Sequence, residues 1–206
     1  MEIEAKFRVE DGEIFPALAR LEAIGPFLLS HAAAPEDQRN VYFDTPDRRL
    51  RDRQYGLRVR EVGGRRIATL KGEAKVSDGM YERDEWEVEV GDDDRPASWP
   101  AGEVRERALA LAGGMDLIPI LTIRTLRRHI FAERDGRRFA ELSMDDGTIR
   151  AGGREQHFRE LEIELLRGGE RSDLEQLVTL LRQRFALIPE DRSKLARGLA
   201  LLNDER

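Results

Sequence analysis

Glu2-Ile3-Glu4-Ala5-Lys6 opens the chain with charged and apolar residues in strict alternation. Successive side chains of a β-strand point to opposite faces, so Glu2, Glu4 and Lys6 share one face while Ile3, Ala5 and Phe7 share the other. The pattern returns downstream. Arg58 and Arg60 alternate with Leu57 and Val59, Lys71 follows Leu70, and Arg83, Glu85, Glu87 and Glu89 alternate with Trp86 and Val88. Glu160, Glu162 and Glu164 alternate with Leu161, Ile163 and Leu165. A sheet with one wet face accounts for any single strand of this kind. It does not account for polar positions filled with Glu on some strands and Arg on others, where Ser, Thr or Gln would serve.

Working outward, the punctuation of the chain sorts these segments into hairpins. Residues 2 to 9 form a strand ended by Asp11-Gly12. Ile14, Ala17, Leu18, Leu21 and Ile24 then recur at helical spacing up to Gly25-Pro26, which predicts a helix there. Val41-Tyr42-Phe43 reads as a short strand, and residues 56–62 and 67–71 as a hairpin around Gly63-Gly64, continued by a strand over 80–90. Glu103 to Ala112 reads as a helix. Long alternating segments at about 120–134, 137–149 and 154–167 are separated by Asp135-Gly136 and Ala151-Gly152-Gly153. Ser172-x-x-Glu175 has the form of a capping box before the apolar face Leu174, Leu177, Val178, Leu181 and Phe185, and a last helix covers about 194–202. About eight hairpin-connected strands with few helices predict an α+β fold, because closing the sheet removes its exposed edges. The expected architecture is a closed eight-stranded antiparallel β-barrel, a tunnel with helices packed outside, built as one domain over residues 1–206.

Composition limits what such a barrel can do. The chain has 206 residues, no cysteine and a formal net charge of -6, although 37% of its residues are charged. The length and the 40% hydrophobic content suffice for a sizeable core. Without cysteine there are no disulfides, thiolate ligands or Cys nucleophile, so a metal must be held by oxygen or by His31, His129 and His157. Those histidines do not recur at ligand spacing and read as structural. An acidic chain is a poor match for duplex nucleic acid. The start lacks a basic and apolar leader pattern, and no stretch approaches the roughly 18 apolar residues of a membrane span. The expectation is a cytoplasmic protein, monomer or homodimer, with neither nucleic acid nor membrane as partner.

If the apolar side chains face outward beneath the helices, the charged face becomes the lumen, and its carboxylates and guanidiniums are forced together. Uncompensated charges in such a space cost several kcal/mol each, in order of magnitude. A polyanion for the Arg and Lys side chains and hard divalent cations for the Glu side chains would satisfy both sets, as triphosphate with Mg²⁺ or Mn²⁺ does.

An ordered series of motifs carries a family resemblance. Glu2-x-Glu4-x-Lys6 is followed by Tyr42-Phe43-Asp44-Thr45-Pro46, Leu57-Arg58-Val59-Arg60, Thr69-Leu70-Lys71-Gly72 and Arg83-x-Glu85. Arg124-x-x-Arg127, Glu141, Met144-Asp145-x-Gly147, Glu160 to Leu165 and Ser193-Lys194-x-x-Arg197-Gly198 complete it. The series resembles the CYTH superfamily of triphosphate tunnel metalloenzymes, and most of all its bacterial inorganic triphosphatase branch. That branch often continues into a histidine-rich CHAD domain, which these 206 residues do not contain.

The resemblance implies metal-dependent hydrolysis of inorganic triphosphate, with two Mg²⁺ or Mn²⁺ ions. Class IV adenylate cyclase, thiamine triphosphatase and a non-catalytic polyphosphate or nucleotide binder are alternatives on the same fold. It further implies that Glu2, Glu4, Asp145, Glu162 and Glu164 face the metal and that Lys6, Arg58, Arg60, Lys71, Arg83, Arg127 and Lys194 hold the phosphates. Glu4 and Lys6 are then the catalytic candidates, with Glu85 and Glu141 as further lumen residues. Strand parity puts Arg127 on the face opposite Arg124 and Arg128, and the resemblance implies that Arg127 is the one that faces inward. Where the family usually has an aromatic residue this chain has Ile130, and Trp86 reads as core beneath a helix.

Overall fold

Two-residue turns with positive φ at both positions join three of the hairpins. They are Gly63 (56°) and Gly64 (77°), Asp135 (51°) and Gly136 (76°), and Gly152 (55°) and Gly153 (71°). Such turns match the right-handed twist of the strands they connect, which is why Gly and Asp occupy them. The computed structural model describes residues 2–73, 75–77 and 80–203. Met1 and residues 204–206, which the single-domain reading includes, lie outside these.

The chain begins with β1 (Glu2–Arg8), α1 (Ile14–Leu18), β2 (Ala23–Ile24), β3 (Phe27–His31) and β4 (Glu36–Asp44). After α2 (Arg49–Asp52) come β5 (Gly56–Val62), β6 (Arg65–Lys71), β7 (Lys75–Ser77), β8 (Met80–Arg83) and β9 (Glu85–Glu89). Next are α3 (Glu103–Ala112), β10 (Ile118–Arg134), β11 (Arg137–Ala151) and β12 (Arg154–Leu165), then α4 (Arg171–Arg184), β13 (Ile188–Pro189) and α5 (Lys194–Asn203).

Antiparallel pairing runs in the order β8-β1-β12-β11-β10-β4-β5-β6-β9. β8 and β9 are the two halves of one segment interrupted at Asp84. The first half pairs with β1, with Glu2 opposite Arg83, and the second with β6, with Lys71 opposite Glu85. The segment therefore bridges both ends of the sheet, and the result is a nearly closed barrel of nine strands drawn from eight stretches of chain.

Outward-facing apolar residues are covered by the helices. Leu174, Leu177 and Leu181 of α4 are buried in a cluster with Ala5, Phe7, Leu142, Leu161 and Ile163. Each such leucine contributes about 1.5–3 kcal/mol. Leu57, Val59, Ala68 and Leu70 pack under α3, where Trp86 also lies with the Arg107 guanidinium 4.1 Å above its ring. α5 closes one end, with Leu195 and Leu199 packed on Leu121, Ile123, Ile149 and Phe158.

Three local expectations are corrected. The helix read over 14–24 stops at Leu18, and Ala23–Ile24 instead turns through Gly25 to pair with Phe27 and Leu28. β3 in turn pairs with Ile130–Glu133 of β10, and this long-range pairing overrides a local apolar spacing that fits a helix equally well. β4 spans nine residues rather than three, because the polar Glu36, Gln38 and Asn40 face a charged interior instead of solvent. The capping box does not form: the cap of α4 is Glu170, in extended conformation with no side-chain cap bond, and Ser172 lies inside the helix. Ile130, at the position of the family aromatic, is fully buried in the core.

Candidate active site

Strand parity builds the site. Every second residue of the barrel strands points inward, and together they line a cavity of about 810 Å³. β1 contributes Glu2 and Lys6, β5 Arg58 and Arg60, β6 Lys71, the β8–β9 segment Arg83, Glu85 and Glu87, and β10 Arg127 and His129. β11 adds Glu141 and Asp145, β12 Glu162 and Glu164, and the start of α5 Lys194. Each residue expected in the lumen is there except Glu4, which sits in the wall behind it at 2% exposure. Arg124 and Arg128 point outward and are exposed.

Ion pairs knit the lining across strands. Lys71 reaches Glu2 at 3.1 Å and Glu85 at 2.9 Å, spanning the seam at which the sheet closes. Arg83 donates to Glu2 and Glu4, both at 2.7 Å. Arg127 forms a two-pronged pair with Asp145, 2.7 Å on each prong, and a third bond of 2.6 Å to Glu162. The Lys194 ammonium lies among Asp145 (2.9 Å), Glu162 (2.7 Å) and Glu160. Lys6 stands 3.9 Å from Glu4 and 4.1 Å above the Tyr81 ring.

These contacts do not neutralise every charge. Burial, then the Glu162 carboxylate, pushes the Glu4 carboxyl up to about 7. Burial and Glu2 push Glu164 up to about 8. Burial also opposes ionisation of Glu2, but Lys71 and Arg83 hold its carboxyl down to about 2. Against the same opposition, Arg127 and Lys194 keep Asp145 and Glu162 ionised well into acid. Arg60 shows the opposite deficit: burial and the neighbouring guanidiniums of Arg58 and Arg127 bring it down to about 10. Its side chain donates to a neutral amide, Asn40 Oδ1, at 3.0 Å, and has no ion-pair partner among the described residues. The lumen thus crowds carboxylates around Glu4, even with Arg83 paired to it, and around Glu164, and it crowds guanidiniums around Arg60.

Several lining residues escaped the sequence. Glu36, Gln38, Asn40 and Tyr42 alternate along β4 and face the cavity. Tyr42 falls in the strand read over 41–43, whereas Glu36, Gln38 and Asn40 lie before it and are polar enough to pass for solvated chain. His129, expected to be structural, lines the cavity two residues from Arg127; its Nδ1 lies 2.7 Å from Glu141 and its Nε2 3.3 Å from Glu36. The Glu141 contact raises its pKa. Asp44, by contrast, sits inside a family motif for a structural reason: its carboxylate accepts the backbone N–H of Thr45, Leu50 and Arg51 and so fixes α2. Gly147 lets β11 approach β10, since a Cβ there would lie 2.4 Å from the Arg124 carbonyl oxygen.

A family model for the CYTH domain matches residues 1–199. The chain belongs to the CYTH family. An inorganic triphosphatase of Haemophilus influenzae is 28% identical over 168 residues, 79% of this chain and 45% of that protein. This CYTH chain therefore spans about half the length of the curated relative it matches. Among solved structures, HpAC1 from Hippeastrum, described as having a dominant triphosphatase activity, superposes with a TM-score of 0.73 at 20% identity, covering 98% of this chain and 97% of that one. PH1819 from Pyrococcus horikoshii OT3 gives 0.64 at 21% identity, covering 98% and 99%. At these identities the likeness speaks for the fold.

The donor set of this CYTH lumen suits a hard divalent cation. It is all carboxylate, and oxygens of Asp145, Glu160 and Glu162 lie within 4.8 Å of one another. Glu4 and Glu164 carry the charge deficit that such an ion would fill. Among the described residues, no helix is long and apolar enough to cross a membrane.

Proposed function

We propose that this chain hydrolyses inorganic triphosphate to pyrophosphate and phosphate inside its charged tunnel, with Mg²⁺ or Mn²⁺. The paired imbalances carry this reading: one cavity holds the Arg60 guanidinium, which has no ion-pair partner among the described residues and calls for an anion, and the Glu4 and Glu164 carboxyls, which other carboxylates crowd and which call for more positive charge. A phosphate chain accompanied by a metal supplies both. A nucleotide or peptide anion alone would supply one.

In this reading Arg58, Arg60 and Arg127 clamp phosphate oxygens through their planar forks, while Lys6, Lys71, Arg83 and Lys194 hold the remaining charge. Glu2, Glu4, Asp145, Glu162 and Glu164 would hold two ions, and the chemistry supplied there when they are bound would be charge neutralisation at phosphate and acidification of water. Lys6 faces the reacting centre and steadies the developing negative charge, while Glu4, 3.9 Å behind it, sets the charge around it and holds Arg83 in place. The residues align the chain for in-line displacement, and the low-polarity wall behind them strengthens each charge. The whole of 1–206 acts as one domain, as a monomer or homodimer in the cytoplasm, without a nucleic-acid or membrane partner.

A substrate panel read by phosphate release tests the reading. Tripolyphosphate should be the preferred substrate over thiamine triphosphate and ATP. A large preference for thiamine triphosphate, or cyclic AMP as the product from ATP, would overturn it in favour of those activities. Tight metal-dependent binding without turnover would indicate a binding module.

A further inference from the structure

Lys194 occupies an unusual position for a residue assigned to phosphate. Its ammonium lies 2.9 Å from Asp145 and 2.7 Å from Glu162 and also contacts Glu160, the three acids whose oxygens converge within 4.8 Å. It fills the place that a small hard cation would take. The other two cations of this group are less free to leave. Arg127 is fixed by a two-pronged pair with Asp145. Arg197, also on α5, is buried between Glu160 and Glu190. Lys194 is a point charge on a flexible four-carbon stem, and it sits on the first turn of α5, where Ser193 Oγ caps the Ala196 N–H at 3.0 Å. One rotation of this stem takes the ammonium out of the acid group, leaving Arg127 and Arg197 at its edges, without undocking the helix, which Arg197 and Leu199 still hold.

We propose that the Lys194 ammonium is a resident cation of the Asp145–Glu160–Glu162 group, that a divalent ion entering the group displaces it, and that the displaced ammonium turns into the lumen toward the triphosphate. The proposal rests on the reading of the lumen as a metal and triphosphate site and adds an order of events. The first ion enters beside Glu164, a lumen carboxyl with no ion-pair partner among the described residues. The second competes with Lys194. Glu160 would serve the entering ion and, through Arg197, the anchoring of the helix.

Mn²⁺ titration of the ligand-free protein by calorimetry tests this without reference to turnover. The wild-type chain should bind in two unequal steps. Lys194→Gln should tighten the weaker step about tenfold or more, whereas Lys194→Arg, which keeps a cation there, should leave it weak. Hydrogen exchange on the wild-type chain gives a reading that does not depend on any variant folding: Mn²⁺ should speed exchange in the first turn of α5 and leave its later turns unchanged. An unchanged or weakened second step in Lys194→Gln, or protection of the first turn by Mn²⁺, overturns the proposal alone. Failure of Mn²⁺ to bind in any step removes the metal-dependent reading and the proposal with it.

Discussion

Arg60 and Arg127 look alike in sequence and differ in what surrounds them. Arg127 makes three charge-assisted bonds to Asp145 and Glu162, so its removal leaves buried carboxylates short of a partner. Arg127→Ala should cost about 3–5 kcal/mol of stability. Arg60 has the neutral Asn40 as its hydrogen-bond partner and faces other guanidiniums. Arg60→Gln should therefore leave the melting temperature unchanged or raise it, while raising the KM for tripolyphosphate about tenfold or more. Thermal melts and steady-state kinetics on the two variants check the contrast. A fall in stability for Arg60→Gln as large as that for Arg127→Ala would show that Arg60 is a structural cation. The sequence places both residues in the lumen, Arg60 by its alternation with Leu57 and Val59 and Arg127 by the family resemblance. It cannot separate them, because the separation depends on which acids on other strands reach each one.

Among the elements, α5 carries the greatest consequence per residue. It closes one end of the barrel and delivers Lys194 to the acids within, and Gly198 lets it lie close. A Cβ at position 198 would meet Leu121 Cδ2 at 2.6 Å and Ile149 Cγ2 at 3.1 Å. Gly198→Ala should lose about 1–3 kcal/mol by overpacking, read as a lower urea midpoint. An unchanged midpoint would mean that α5 docks more loosely than the packing indicates. The long strands β10, β11 and β12 were legible because alternation and two-residue turns agree along their length. β2 and β3 were not, since Ile14, Leu18, Leu21 and Ile24 fit a helix and the pairing of β3 with β10 lies about a hundred residues downstream. The first half of β4 was lost for a related reason. Glu36, Gln38 and Asn40 look solvated until the closed barrel turns their face inward.

At the scale of the whole molecule, the unmatched charges link stability to pH and metal. Glu4 and Glu164 have carboxyls raised to about 7 and about 8 in the folded chain from an ordinary 4.5, so the folded state binds more protons than the unfolded state across that window. Their contribution to stability must then fall as pH rises from about 4.5 through 8. His129, raised by Glu141, acts in the same direction, its contribution being lost as pH rises through its folded pKa. Glu2, Asp145 and Glu162, all lowered, contribute stability that is present above the ordinary carboxylate range and is lost in acid. Without metal the melting temperature should therefore decline between about pH 5 and pH 8, and Mg²⁺ or Mn²⁺ should restore more of it at the upper end. Equal metal stabilisation at both ends would mean that the ion does not bind at Glu4 and Glu164. The central claim is that polyanion and metal satisfy one charged lumen together, and phosphate release from tripolyphosphate measured against Mg²⁺ or Mn²⁺ concentration tests it most directly. The account predicts release that rises from near zero with metal and drops about a hundredfold or more in Glu4→Gln. Metal-independent release, or no release from the wild-type chain together with identical behaviour of Glu4→Gln, would contradict it.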